Sequence, residues 1–325
     1  MTTIRLVGKN SDLMMARLKS FNLEDSEGVK GDSLTLVISS DDVSGLPPKG
    51  ERYQVYLGNV ERGQFAISQR KFSVYPKEIT LVLTVAPFSA LDKSFRERKS
   101  SSWEQCSIDQ VVKEATPSGF DVFVHPALQN IVIEHVDRTE ESTSAFLNRL
   151  AKDYDAVAKP VGEQQYVFLP KGQAKAPNGE EIETITLSLP KDNNPNSGSF
   201  VNVSGSLDGR NEFSGVKAFY VSTDDGSRQE VTKGIAPFKQ LSKDKNSKQE
   251  AIQACAAELR KIEREGRKIS IEAPINPSAF AEGVVILDAS FDEMVRGSYS
   301  IDRVSFSGSG LQATRMSLTA TLVME

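Results

Sequence analysis

The chain has 325 residues, 38% hydrophobic and 26% charged, with 39 basic against 44 acidic residues for a net charge of −5. That length predicts two or three domains, and the composition is that of a soluble globular protein. No apolar run approaches the ~20 residues that span a bilayer, Met1 to Leu6 lack a signal-peptide core, and the acidic balance argues against a dedicated nucleic-acid binder, which needs a net basic face.

These features place the chain in the cytosol until a later assembly step, without stable membrane binding. The two cysteines, Cys106 and Cys255, are then expected as reduced, packed thiols.

Residues 1–92 read as a first β domain. In "DSLTLVIS" (32–39), Leu34, Leu36 and Ile38 share one face. "ERYQVYLG" (51–58), "QFAISQRKFSV" (64–74) and "EITLVLTV" (78–85) follow, separated by the turn signals "GLPPKG" and "NVERG". Short strands at close spacing without helical periodicity predict a small barrel or sandwich.

Residues 93–172 change character and predict an α+β module. Ser107 and Gln110 form a capping box ahead of a helix with Ile108, Val111, Val112 and Ala115 on one face, stopped by Pro117 and Gly119. Strands are expected at 120–124 and 131–136. A second helix is expected at 140–154, with Leu147, Leu150, Ala151 and Tyr154 on one face, and then a hairpin turning at Gly162-Glu163.

Residues 173–199 form a polar linker with one strand candidate, "ITLSL" (185–189). Residues 200–325 return to β pattern. Asp224-Asp225-Gly226 marks a turn, and one helix (248–266) is capped by Ser247 and Glu250 and packs through Ile252, Cys255, Ala256, Leu259 and Ile262. Its interleaved acids and bases read as a solvated face. The final strands are "KISIEAP", "GVVILDA", "SYSIDRVSFS" and "RMSLTATLVM".

Two stretches 234 positions apart match. "GQFAISQRKFS" runs from Gly63 to Ser73 and "GSYSIDRVSFS" from Gly297 to Ser307, so Gly63 aligns with Gly297, Phe72 with Phe306 and Phe65 with Tyr299. Each follows a short strand and precedes one rich in Leu and Thr. The expected fold class is therefore α+β and β-rich, with two similar small tube-type β-barrels flanking the α+β module. A threefold assembly would present six such units in a ring.

No catalytic, metal or cofactor site is assigned. A zinc site of Cys106, His125, His135 and Cys255 lacks structural-site spacing, and no G-x-S-x-G elbow occurs. Glu140-Glu141 reads as the first turn of a helix, where acids complement the dipole. "SGSG" (307–310) reads as a hairpin turn.

"KSFRERKSSSWEQCSIDQVV" (93–112) holds the single tryptophan and joins the first β domain to the α+β module. One aromatic does not make a base-stacking platform, so the stretch reads as an interdomain strap, with Trp103 packed over the capped helix. The stretch resembles the phage late control D family, the tail-hub proteins of contractile phage tails and related bacteriocin particles. The family pattern combines Phe95, Arg96 and Arg98 with Trp103 and a helix. The resemblance continues through Glu141, Phe146, Leu147, Leu150 and Ala151, and in "SKQEAIQACAAELRKIEREGRKISIEAP" and the last two strands. Asp155 stands where the family often has glycine, so the following turn is expected to differ.

The resemblance implies a homotrimeric baseplate hub forming a pseudo-sixfold ring between a hexameric tail-tube protein and a trimeric spike protein. It implies contacts with tape-measure and baseplate proteins, DNA only in transit, assembly in the host cytoplasm and a final place in the tail baseplate. Type VI secretion spike proteins share a similar hub but continue into a β-helix, so a separate spike subunit is expected. A hub-associated peptidoglycan hydrolase is the alternative.

Overall fold

The computed structural model describes residues 2–28, 32–41, 45–85, 93–161, 165–171, 182–206, 213–222, 226–265 and 268–322. The sequence-predicted turns at Gly162-Glu163 and Asp224-Asp225 lie outside them.

The N-terminal segment folds as β1 (Ile4–Val7), α1 (Ser11–Met15), β2 (Leu18–Ser26), β3 (Ser33–Ser39), β4 (Arg52–Leu57), β5 (Val60–Val74) and β6 (Lys77–Val85). The middle segment holds β7 (Arg98–Ser107), α2 (Ile108–Ala115), β8 (Asp121–Val124), α3 (Pro126–Gln129), β9 (Val132–Ser142), α4 (Thr143–Asp153), β10 (Ala156–Val161) and β11 (Gln165–Pro170). The C-terminal segment holds β12 (Ile185–Leu187), β13 (Asn202–Ser206), β14 (Gly215–Val221), β15 (Arg228–Gly234), β16 (Phe238–Gln240), α5 (Lys248–Glu265), β17 (Lys268–Ala273), β18 (Val284–Leu287), β19 (Gly297–Ser309) and β20 (Gln312–Leu322).

The terminal segments do not form two separate barrels. They share one open twelve-stranded sheet, and no sheet closes into a barrel among the described residues. The first half runs β1-β4-β5-β6-β3-β2. The second runs β12-β18-β19-β20-β17-β13, and the halves are joined by β2 pairing antiparallel with β19. The physical reason is a shared interior. A barrel closes its own edges, whereas here the outer half of β19 is taken by a strand of the other half, and one apolar cluster runs through both, from Phe65 and Leu83 to Tyr299 and Met316.

The repeat is nevertheless real at the level of strand order. In both halves a short strand pairs antiparallel with a long one. Gly63 faces Val55 and Gly297 faces Leu287, and both glycines have positive φ (99° and 144°). Both long strands carry a β-bulge at the same aligned place. Ser68 is the extra residue between Ile67 and Gln69, and Asp302 between Ile301 and Arg303. Phe65 and Tyr299 are both buried, as are Ile67 and Ile301.

The middle segment has a core of its own, built by Phe95, Trp103, Val111, Val112, Phe146, Leu147, Tyr166 and their neighbours. Its small sheet runs β10-β11-β8, and β7 pairs separately with β9. β14, β15 and β16 form a further three-stranded sheet under α5, where Cys255 is buried against Val216 and Ala218.

Candidate functional site

The stretch 98–107 is a strand, β7, paired with β9 from Arg98↔Ser142 to Ser107↔Val132. Only Trp103 is buried along it. The indole stacks on Phe146 of α4 (centroids 5.1 Å apart) and its Nε1 donates to Glu114 of α2 at 2.7 Å. Phe95 is buried between Phe120 (5.0 Å, edge-on) and Tyr166 (5.3 Å, stacked). Arg96 and Arg98 are exposed, and Leu147 is fully buried in α4.

α2 begins at Ser107, whose hydroxyl accepts from Gln110 N (3.2 Å). The Gln110 side chain turns to Glu114 instead of reaching back, so the box is half made. α4 begins later than its apolar pattern implies, because Ser142 is the N-cap and accepts from Ala145 N. Glu140 and Glu141 therefore lie in β9, with Glu140 at φ 47°. Arg149 donates to both carboxylate oxygens of Glu141 (3.1 and 2.6 Å) and holds its pKa below the ordinary range. A general acid needs the opposite shift. Asp155 takes φ 55°, the conformation glycine adopts freely, and its carboxylate accepts from Arg260 at 3.2 Å.

The four residues weighed as a zinc site are held apart by separate duties. His125 Nδ1 caps α3 by accepting from Ala127 N, and His135 Nε2 meets Asp137 at 3.0 Å. The Cys106 thiol faces its own strand's Glu104 carbonyl, while Cys255 sits on the buried face of α5. Among the described residues no group of three His, Cys, Asp or Glu side chains could hold a metal ion.

Two features absent from the sequence reading dominate the geometry. The first is a buried charge cluster where β10 of the middle segment meets the large sheet. Arg62 is the bulge residue of β5, the extra residue between Glu61 and Gly63, and the bulge turns its side chain inward. Its guanidinium donates to Asp25 Oδ2 (2.9 Å) and to the Pro277 and Ala279 carbonyls, and lies 3.7 Å from the Phe280 ring centroid. Asp25 also accepts from Ala281 N at 3.0 Å. Beside it Lys159 of β10 pairs with Glu282, which also accepts from Gly28 N at 3.1 Å. Glu282 is fully buried at φ 63°, a backbone state that is costly for a residue with a Cβ. Burial pushes the Glu282 carboxyl up to about 7, against the pull of Lys159. Asp32, adjacent to Asp25, is raised by burial and then by the Asp25 charge.

The second feature is an open strand edge. β4 pairs with β5 only as far as Ala66, yet β5 continues to Val74 against β6. Phe72, Val74 and Tyr75 on this projecting hairpin are 74%, 73% and 96% exposed, whereas Phe306, the aligned partner of Phe72, is fully buried.

No protein-family model matches the chain. It is 29% identical over 180 residues to the probable baseplate hub protein of Escherichia phage P2 and 26% identical over 181 residues to that of phage 186. Each match covers 53% of this chain and 45% of the relative, so it spans about half the length of those curated proteins. Among solved structures, the tail protein from Neisseria meningitidis MC58 superposes with a TM-score of 0.68 at 12% identity, over 98% of this chain and 96% of that one. The 43 kDa tail protein of prophage MuSo2 from Shewanella oneidensis gives 0.67 at 14% identity, over 99% and 98%. The E. coli c3393 protein, a type VI secretion component with structural similarity to the T4 tail proteins gp27 and gp5, gives 0.57 at 11% identity, over 100% and 77%. At these identities the structures establish the fold. In sequence, over about half of its length, the chain is similar to phage baseplate hub proteins.

Proposed function

We propose that the chain is a structural hub subunit of a contractile tail baseplate, acting as a homotrimer. Its two six-stranded halves share one strand order, so three copies present six similar units around a channel. That shared order is the observation carrying the reading. A sixfold tube and a threefold spike cannot make equivalent contacts, and a chain with paired halves offers one symmetry at each end. Tail-tube, spike, tape-measure and other baseplate proteins are the partners this role requires, with DNA passing through without specific binding.

Homology to baseplate hub proteins supports a tail location and a non-enzymatic part. The hydrolase alternative gains nothing from Glu141, whose carboxylate is fixed and ionised by Arg149. Light scattering and negative-stain imaging of the full chain, alone and with its spike, test the proposal. A trimer with a six-lobed ring is expected, and a strict monomer in both conditions overturns it. A peptidoglycan zymogram is expected to show no clearing.

A further inference from the structure

The middle segment has its own core and meets the large sheet through charge. Lys159 of β10 pairs with Glu282, whose carboxylate also accepts from Gly28 N at 3.1 Å. Lys171, just beyond β11, pairs with Glu27 at 2.5 Å. Both carboxylates belong to residues tied to β19 beside its junction with β2. Glu27 N donates to the Asp302 carbonyl at 2.8 Å, and Glu282 N donates to the Ile301 carbonyl at 2.7 Å. The apolar part of the contact is small. Val167 and Leu169 of β11 cluster with Phe123 and Ile182, apart from both larger cores. Ile182 lies against Gly283, where a Cβ would meet its Cγ2 at 2.7 Å.

Elsewhere the segment stands off from the rest of the chain. Two open clefts of about 700 and 550 Å³ run along α4, each lined on its far side by α5. Across them Arg260 reaches Asp155 at 3.2 Å, and Asn246 Nδ2 reaches the His135 carbonyl at 3.3 Å. Asp153, Lys243 and Lys245 line one cleft, and Lys152, Glu258 and Lys261 line the other. Widening the clefts therefore separates charged groups, not a packed apolar seam, and bodies joined in this way move relative to one another.

A buried ion pair holds weakly for its size, because desolvation of both charges offsets their attraction. The Lys159–Glu282 pair is of this kind, with side chains 13% and 1% exposed. Facing Glu282 are Lys159 of β10, Asp25 of β2, Asp32 ahead of β3 and the Gly28 N–H, with Arg62 of β5 paired to Asp25 behind them. We propose that Glu282 is a pH-sensitive latch for the middle segment, which swings off the large sheet and away from α5 as one body when that carboxyl ionises. Burial holds the docked Glu282 up at about 7, and lifting off returns it to water, where it ionises near 4.5. Docking thus takes up a proton. Its contribution is complete below the lower value and is lost as pH rises through the upper one. Asp302, raised to about 6 by burial and then by Glu27, against Lys171, Lys268 and the Thr321 hydroxyl, acts in the same direction.

Spin labels read the opening. Lys152→Cys on α4 and Ser309→Cys on β19, both exposed positions, place one label on each body in a full-length Cys106→Ser background. Cys255 is buried and stays in place. Excess unlabelled protein confines the measured distances to one chain. Double electron–electron resonance is expected to give a single distance at pH 6 and an added longer population at pH 8. Lys159→Met, which removes the cation facing Glu282, is expected to make the longer population dominant at pH 8. Glu282→Gln is expected to keep the short distance at both pH values. Trp103 emission is expected to stay constant throughout, because the segment moves with its core intact. A wild type with the same distances at pH 6 and pH 8, or a pH response that persists in Glu282→Gln, overturns the latch. A shift of Trp103 emission that accompanies the longer distance overturns movement as one body.

Discussion

Arg62 and Asp25 form an ion pair of 2.9 Å with both side chains almost fully buried (2% and 5% exposed), in the middle of the large sheet. Such a pair adds little beyond a well-packed apolar pair, but loss of one member strands the other charge away from water. Asp25→Ala is therefore expected to destabilise the protein by about 3–5 kcal/mol. The double variant Asp25→Ala/Arg62→Met is expected to cost less than the two single variants combined. Urea titrations of the four proteins measure this, and strict additivity would show that the pair does not act as a unit.

Glu282 gives the fold a pH dependence of definite sign. In the unfolded chain its carboxyl ionises near the ordinary value of 4.5, whereas burial pushes the folded group up to about 7. The unfolded state therefore releases its proton first, and stability falls as pH rises between those two values. Asp32, also raised, acts in the same direction. Melting temperatures across pH 5 to 8 are expected to decline, and Glu282→Gln is expected to flatten the decline. A curve of unchanged slope in the variant would remove Glu282 as the cause.

The single tryptophan reports on the middle segment. Trp103 ties β7 to α2 through Glu114 and to α4 through Phe146. Trp103→Ala is expected to cost about 3–5 kcal/mol, the range for large aromatic truncations in cores. Intrinsic fluorescence of the wild type should shift to the red when this segment opens, and Phe146→Leu should bring that transition to lower denaturant. Coincidence of the two proteins' transitions would mean that the stack contributes nothing.

Much of this architecture was legible because alternation and caps are local. Leu34, Leu36 and Ile38 announce β3, and the Ser107 and Ser247 hydroxyls accept from the backbone N–H groups of Gln110 and Glu250. β2 escaped because its inward row, Phe21, Leu23 and Asp25, ends in a charge whose partner Arg62 is 37 residues away. Arg62 itself sits in "NVERG", a string that reads as a turn and is in part a bulge. β7 escaped because a single inward residue, Trp103, leaves no period to detect, and its pairing with β9 is long-range. Glu282 gave no signal at all, since its burial depends on Lys159 of another segment. The repeat was visible in sequence, but its consequence was not. Whether two like halves close separately or share a sheet depends on which strand covers the outer half of β19.

Asp155 holds a backbone conformation that glycine adopts freely. Its φ of 55° lies in the left-handed region, which an acid side chain tolerates better than other non-glycine residues do, and Arg260 of α5 holds the carboxylate at 3.2 Å. The side chain is only 10% exposed, while Arg260 is 48% exposed, so the pair is partly screened and the backbone preference dominates. Asp155→Gly is therefore expected to change stability by less than about 0.5 kcal/mol, since relief of the backbone offsets the lost ion pair. Asp155→Ala, which keeps the Cβ and loses the carboxylate, is expected to cost about 1–2 kcal/mol. Thermal denaturation of the two variants separates the contributions. Equal losses in both would mean that the Arg260 contact, and not the backbone conformation, sets the requirement at this turn.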